Sequence, residues 1–176
     1  MVKEDSTPRD RAPILIVDDD GDIRTALEML LSYEGYEVWT ARDGAEALAR
    51  LDAEDTNGRQ AACVLSDLKM PGMDGLDLLE ALSERHNAPP VVMISGHGDV
   101  QTAVEAVRRG AVNFLEKPLD DNHVLVTLRA AMRERRLAMQ NTALKKQLGS
   151  RWELIGESEE MQRLKRQVEQ VANAEA

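Results

Sequence analysis

Several features that would point to other classes of protein are scarce in this chain of 176 residues. A single cysteine, Cys63, lies in an apolar run, so a disulfide within the chain is excluded and we expect the thiol to be buried. No apolar stretch approaches the roughly 20 residues that cross a bilayer, and residues 1–12 lack the apolar core of a signal peptide. These absences favour a cytoplasmic protein with no membrane partner.

Aromatic residues and positive charge are also scarce. Aromatics make up 3% of the chain, so the core must be built from aliphatic side chains and methionine, and the net charge is −10. This acidity disfavours nucleic acid as a partner of the chain and favours a bound cation. The bases between residues 129 and 151 have no aromatics among them, so we interpret them as a solvated or inter-subunit face.

What the chain does contain is an alternation of short apolar runs and segments with helical apolar spacing. The predicted strands lie at residues 14–17, 37–40, 61–66, 91–94 and 112–115. This alternation predicts right-handed crossovers and a five-stranded parallel α/β sheet with helices on both faces. We expect a disordered tail at residues 1–12 and a domain at 13–131, with ligands at the carboxyl edge of its sheet.

The last predicted helix begins near residue 120 and meets no helix breaker before Gly149. Its second part repeats apolar positions at alternating spacings of four and three, with one polar position, and this predicts a short coiled-coil seam. The seam residues are Leu137, Asn141, Leu144 and Leu148. We therefore predict a helical dimerisation linker at 132–151, although a solvated helix with chance leucines remains an alternative.

Carboxylates follow two of the predicted strands. Asp18 and Asp19 come directly after the first strand and Asp67 after the third, so we expect them to converge at one edge of the sheet. Packing three carboxylates together is costly unless a divalent cation neutralises them. Mg²⁺ suits these oxygen ligands, whereas zinc would need cysteine or histidine at spacings that this chain lacks.

A carboxylate beside Mg²⁺ is a competent nucleophile toward a phosphoryl group, and Asp67 is the best placed candidate. The acyl phosphate formed would need a cation and a hydroxyl group nearby. Lys117 after the fifth strand and Ser95 after the fourth supply them. The Lys117–Pro118 bond is a candidate for the cis form, which the residues alone leave open.

Four strings in this order resemble the defining motifs of response-regulator receiver domains. They are ILIVDDD at 14–20, SDLKMPGMDG at 66–75, VVMISGHG at 91–98 and FLEKPL at 114–119. The resemblance implies a CheY-like, flavodoxin-like fold in which Asp67 accepts a phosphoryl group from a sensor histidine kinase. It also implies that Asp19, Asp67 and the backbone carbonyl of Lys69 hold Mg²⁺, with Asp18 acting through water.

By the same resemblance, Lys117 contacts the phosphoryl group, Ser95 is the conformational switch hydroxyl and Phe114 the aromatic switch. Receivers often have threonine and tyrosine at the positions of Ser95 and Phe114. Without a phenol hydroxyl, Phe114 would have to switch by packing alone. The expected outcome is a homodimer that rearranges through the linker and through the face of the fourth helix and fifth strand.

The string LIGESEEM at 154–161 resembles the opening of the AAA+ ATPase domain of NtrC-like, sigma-54-dependent activators. Residues 152–176 would then be the first part of that domain, and the chain would end before its phosphate-binding loop. We therefore expect a regulatory phosphoacceptor rather than an enzyme. The intact protein would be an ATPase that engages DNA and sigma-54 RNA polymerase.

Two other functions compete with a phosphorylated regulator. One is a pseudo-receiver that dimerises without phosphorylation, and the other is a phosphohydrolase that turns over substrates through an aspartyl phosphate. The full set of acids, lysine and serine argues against the first. The second would need a substrate pocket and a base, which the sequence does not indicate.

Overall fold

The fold is taken from a computed structural model that describes residues 12–85, 87–96 and 100–151, without the side chains of 100–103 and 143–151. The expectations for the tail before residue 12 and for residues 152–176 therefore lie outside the described residues. The chain divides into two units, residues 1–136 and 137–176. Among the described helices, none has the length and apolar character needed to cross a membrane.

Five parallel strands form one sheet, as predicted. The strands are β1 (Ile14–Val17), β2 (Val38–Ala41), β3 (Cys63–Asp67), β4 (Val91–Ser95) and β5 (Asn113–Glu116). Their order in the sheet is β2-β1-β3-β4-β5, so the chain reverses direction across the sheet between β2 and β3. β1 has the bounds expected from its apolar run, and the bounds of the other strands are shifted by one or two residues.

Five helices connect or follow the strands. They are α1 (Gly21–Tyr33), α2 (Gly44–Thr56), α3 (Gly75–Ser83), α4 (Val100–Arg108) and α5 (Asp121–Arg151). The first three are capped by the aspartates that precede them, whose carboxylates accept backbone N–H groups of the first turn. Gly35 and Gly110 follow α1 and α4 with positive φ angles of 86° and 106°, a conformation that favours glycine.

Alternate residues of the central strands β1, β3 and β4 enter two separate cores, one on each face of the sheet. Leu15 and Val17 of β1 pack with α2, α3 and α4, whereas Ile14 and Ile16 pack with α1 and α5. The central strands are therefore buried along their whole length and are apolar except at their carboxyl ends, the pattern expected of a sheet covered on both faces.

Helix α4 exposes two of its valines. Val104 and Val107 are 55% and 49% exposed, and Ala106 is the residue that enters the core. Within the described side chains, α4 therefore has apolar residues in contact with solvent.

Helix α5 continues without interruption to Arg151, so the long last helix is present. Leu137 is 54% exposed and Asn141 is exposed as well, while the side chains of Leu144 and Leu148 lie outside the described residues. The pairing of two copies through this seam stays a prediction.

The first part of α5 contacts the rest of the domain through hydrogen bonds as well as apolar contacts. Met132 packs against the second core. Arg135 donates to the carbonyls of Ala61 (2.6 Å) and Asn87 (3.0 Å) at the amino edge of the sheet. Burial lowers the pKa of the Arg135 guanidinium, since a charged group in this position has lost part of its hydration.

An acidic candidate metal site at the carboxyl edge of the sheet

Three carboxylates meet where β1 and β3 end. These strands are neighbours whose register pairs Val17 with Ser66, so the next residues, Asp18 and Asp67, emerge side by side. Each of Asp18, Asp19 and Asp67 offers a carboxylate oxygen, and these oxygens all lie within 4.8 Å of one another. Asp18 and Asp67 are buried and Asp19 is exposed, so the cluster is open to solvent on one side.

Lys117 reaches this cluster from β5, two strands away from β3. Its backbone N–H donates to the carbonyl of Ser95 (2.8 Å), which fixes the residue at the end of β4. Its ammonium lies 2.8 Å from Asp67 Oδ1 and 3.0 Å from Asp18 Oδ2. The Lys117–Pro118 bond is cis, the isomer that the sequence left open.

Burial raises the pKa of the Asp67 carboxyl, and the hydrogen bond and charge of Lys117 oppose that rise without cancelling it. The negative charge of Asp18 adds to the rise. Burial acts in the opposite sense on Lys117, but the hydrogen bonds and charges of Asp67 and Asp18 outweigh it and raise its pKa. The lysine is therefore held charged, and its ammonium offsets only part of the effect of burial on the pKa of Asp67.

The donor set fits a hard divalent cation such as Mg²⁺. The three acids offer oxygen ligands, the exposed side of the cluster leaves room for the waters that Mg²⁺ retains, and a dication would supply the missing positive charge. The N–H of Lys69 donates to Asp67 Oδ2 (3.1 Å), which orients the acid within its turn. The part expected of the Lys69 carbonyl stays a prediction.

Ser95 and Phe114 lie on the neighbouring strands β4 and β5. Ser95 is buried at the end of β4, and its hydroxyl donates to the carbonyl of Gly96 (3.1 Å). Phe114 is paired with Met93 across the β4–β5 ladder and is 42% exposed. Ser95 therefore lies at the acidic edge and Phe114 on the adjacent strand, and their switching roles stay predictions. His86 and His97 lie outside the described residues.

Sequence reasoning missed the roles of three further residues that shape the site. Asp20, the third acid of the run, accepts the N–H groups of Asp22 (2.8 Å) and Ile23 (3.4 Å) and so caps α1 instead of joining the cluster. Its place before a helix is the signal that could have identified it. Arg24 donates through Nη1 to the carbonyl of Asp18 (2.5 Å).

Gly75 is the third of these residues. A Cβ atom there would lie 2.3 Å from the carbonyl oxygen of Asp67, so α3 begins in close contact with the backbone of the buried acid. No spacing in the sequence indicates the contacts of Arg24 or Gly75, because both are with backbone oxygens.

Comparison with known proteins agrees with this geometry. Residues 14–129 match the family described as response regulator receiver domain. The chain is 42% identical over 167 residues to the C4-dicarboxylate transport transcriptional regulatory protein DctD of Pseudomonas aeruginosa, covering 93% of this chain and 35% of DctD. It is 39% identical over 160 residues to the nitrogen assimilation regulatory protein NtrX of Azorhizobium caulinodans, covering 90% and 34%. The chain thus spans about a third of the length of these relatives.

Among solved structures, NtrX from Brucella abortus is similar with a TM-score of 0.70 and 40% identity, covering 92% of this chain and 35% of that protein. The receiver match covers about two thirds of the chain, and both relatives are regulatory proteins by name. The chain therefore belongs to the family of response regulator receiver domains, the regulatory domains of two-component systems.

Proposed function

We propose that this domain is a phosphorylation-controlled switch in which Asp67 receives a phosphoryl group from a histidine of a sensor kinase. The observation that carries the proposal is the buried Asp67 carboxylate, which lies within 4.8 Å of two other acids and 2.8 Å from a lysine ammonium. A purely structural site gains nothing from gathering these charges, since three packed carboxylates destabilise the fold.

In the proposed reaction, the phosphorus–nitrogen bond of the phosphohistidine breaks as a bond forms between phosphorus and a carboxylate oxygen of Asp67. The imidazole nitrogen keeps the electron pair of the broken bond. Mg²⁺ held by Asp19, Asp67 and the Lys69 carbonyl, with Asp18 acting through water, would share the charge of the phosphoryl oxygens during the transfer. Lys117, already held charged at this edge, would pair with the new phosphoryl oxygens.

The acyl phosphate carries more negative charge than the carboxylate it replaces, and the Ser95 hydroxyl would turn to donate to it. Movement at Ser95 would be passed to Phe114 on the next strand and to the exposed apolar face of α4. The phosphoryl group can shift this equilibrium only as far as it binds the rearranged form better than the resting one. We propose that the readout is a changed homodimer arrangement at this face and along α5.

For the intact protein we propose a sigma-54-dependent activator of transcription whose ATPase is controlled by this receiver. Its support is the resemblance of residues 154–161 to the start of such an ATPase and the regulatory names of the longer relatives. The sensor kinase and the promoters would then be specific to that protein.

Phosphorylation can be tested with acetyl phosphate or phosphoramidate and Mg²⁺, with intact-protein mass spectrometry as the readout. The wild type should gain one phosphoryl group, and Asp67→Asn should gain none. Asp20→Asn is a matched control, because asparagine caps a helix as well as aspartate and residue 20 lies outside the cluster. Persistent phosphorylation of Asp67→Asn would refute the assignment, and no modification of the wild type would favour a pseudo-receiver.

The dimer can be tested by light scattering with Mg²⁺ alone and with Mg²⁺ plus beryllofluoride, which mimics a phosphoryl group on aspartate. A monomer that dimerises would mean that assembly is the switch. A dimer in both states would mean that phosphorylation alters its geometry. A monomer in both states would contradict the proposed dimer.

A further inference from the structure

Arg24 contacts the backbone of the acidic site from the first turns of α1. Its guanidinium Nη1 donates to the carbonyl oxygen of Asp18 at 2.5 Å, and the side chain is partly buried. That carbonyl belongs to the peptide unit that joins Asp18 to Asp19, the two acids that follow β1. The contact is therefore with the backbone that carries two of the three acids, and not with a carboxylate.

The orientation of this peptide unit determines where Asp19 points. A peptide is planar, so holding its oxygen restricts the ψ angle of Asp18 and the φ angle of Asp19 together. Asp18 has its own restraints, because its N–H donates to Ala41 (3.3 Å) and its carboxylate accepts from Asp20 N (2.8 Å) and Lys117. The Asp19 side chain is exposed, so its direction depends on its backbone.

We propose that Arg24 is a positioning residue for the divalent cation, which it serves by holding the Asp18–Asp19 peptide so that the Asp19 carboxylate faces Asp67. This inference rests on the proposed function, in which these acids bind Mg²⁺. Arg24 itself touches neither the cation nor the phosphoryl group in this arrangement. The ligand is a hard dication, and the contribution of Arg24 is preorganisation of its ligands.

The proposal predicts a loss of Mg²⁺ affinity when Arg24 is replaced, whereas a simple charge effect would increase that affinity. Removing a positive charge near a cation site strengthens cation binding by electrostatics alone, because a like-charge repulsion is lost. Removing a positioning contact weakens it, because the binding free energy must then order the freed peptide. Replacement of Arg24 by a neutral residue therefore separates the two effects by the direction of the change.

The test compares Arg24→Gln with Arg42→Gln, using Mg²⁺ alone as the probe. Arg42 follows β2 at the same edge of the sheet, is 76% exposed and pairs with Asp43 and Glu46, so its loss removes the same charge without freeing the Asp18–Asp19 peptide. Titration calorimetry should show Mg²⁺ affinity weakened about tenfold in Arg24→Gln, the effect of one hydrogen bond. Arg42→Gln should bind as tightly as the wild type or slightly tighter.

A second measurement gives the Mg²⁺ affinity of a variant even if the substitution lowers its stability. A ligand that binds only the native state raises the free energy of unfolding with its concentration, so urea unfolding at several Mg²⁺ concentrations gives the affinity even for a destabilised protein. Arg24→Lys, which retains a donor, should lie between wild type and Arg24→Gln. If Arg24→Gln bound Mg²⁺ as tightly as the wild type or more tightly, the inference about Arg24 would be wrong but the proposed function would stand. If the wild type bound no Mg²⁺, the proposed function would be wrong as well.

Discussion

Three helices of this protein begin with the same pair of residues, and the difference between them predicts opposite effects of one substitution. Gly21, Gly44 and Gly75 are the first residues of α1, α2 and α3, and each follows an aspartate N-cap. A Cβ on Gly21 would have only an ordinary contact, 3.6 Å from the Arg24 guanidinium. A Cβ on Gly75 would lie 2.3 Å from the Asp67 carbonyl and 2.6 Å from Met93 Cε.

These distances set the expected magnitudes. Gly21→Ala should stabilise the fold by about 0.4–1 kcal/mol, because alanine restricts the unfolded chain without strain in the native state. Gly75→Ala should cost about 1–3 kcal/mol as an overpacking substitution, since the atom it displaces is backbone, and the helical preference of alanine recovers only part of this. Gly44→Ala should fall between them, because its Cβ would meet the flexible side chain of Met73 at 2.6 Å.

Urea unfolding followed by circular dichroism, in the presence of a chelator to remove divalent cations, measures all three variants on one scale. The order of stability should be Gly21→Ala, wild type, Gly44→Ala and Gly75→Ala. Gly75→Ala with wild-type stability or better would refute the reasoning, because it would show that α3 can move away from the Asp67 backbone without loss.

Three other predictions follow from single contacts. Arg135→Met should destabilise the domain by about 1–3 kcal/mol in urea unfolding, because it removes this donor from the part-buried carbonyl of Ala61. The exposed neighbour Arg136→Met should change the free energy of unfolding by less than about 0.5 kcal/mol, and equal effects would refute this. Asp67→Asn should be more stable than the wild type in chelator at neutral pH, since burial raises the pKa of Asp67 and its ionisation costs stability as pH rises above the ordinary value of 3.8. The greater stability of the variant should shrink as pH falls toward 3.8. Mg²⁺ at 100 times its Kd should stabilise the wild type by about 2.7 kcal/mol but should not stabilise the variant. If the wild type were the more stable protein in chelator, the expected direction of the difference would be wrong. Burial raises the pKa of Cys63 to about 12, so iodoacetamide should label the native thiol only through unfolding, at a rate that rises with urea, and rapid labelling of native protein would show that the site is accessible.

Much of the architecture could be read from local patterns. The apolar runs of the three central strands were clear signals because a strand buried on both faces needs apolar residues at nearly every position. The acids and the lysine could be placed at one edge because parallel strands end together. Asp18, Asp67 and Lys117 are brought into contact as that rule requires, since each directly follows or ends a strand.

Other features depended on contacts that side-chain identity does not reveal. Asp20 resembles its two neighbours in sequence, yet it caps α1, because the helix begins at the next residue and needs an acceptor there. In α4, Ala106 faces the core, whereas Val104 and Val107 are exposed. Helical spacing gives the period of an apolar face but not which side the rest of the protein covers.

The sequence by itself determined the order of the elements, the residues at the carboxyl edge and the family, because these depend on periodicity and on motifs that read locally. Only the tertiary structure decided the cis form of the Lys117–Pro118 bond and the partners of Arg24, Gly75 and Arg135. Those partners are backbone oxygens, which every residue carries alike. Which of these oxygens a side chain can reach depends on how distant segments pack, so the sequence pattern does not predict these contacts.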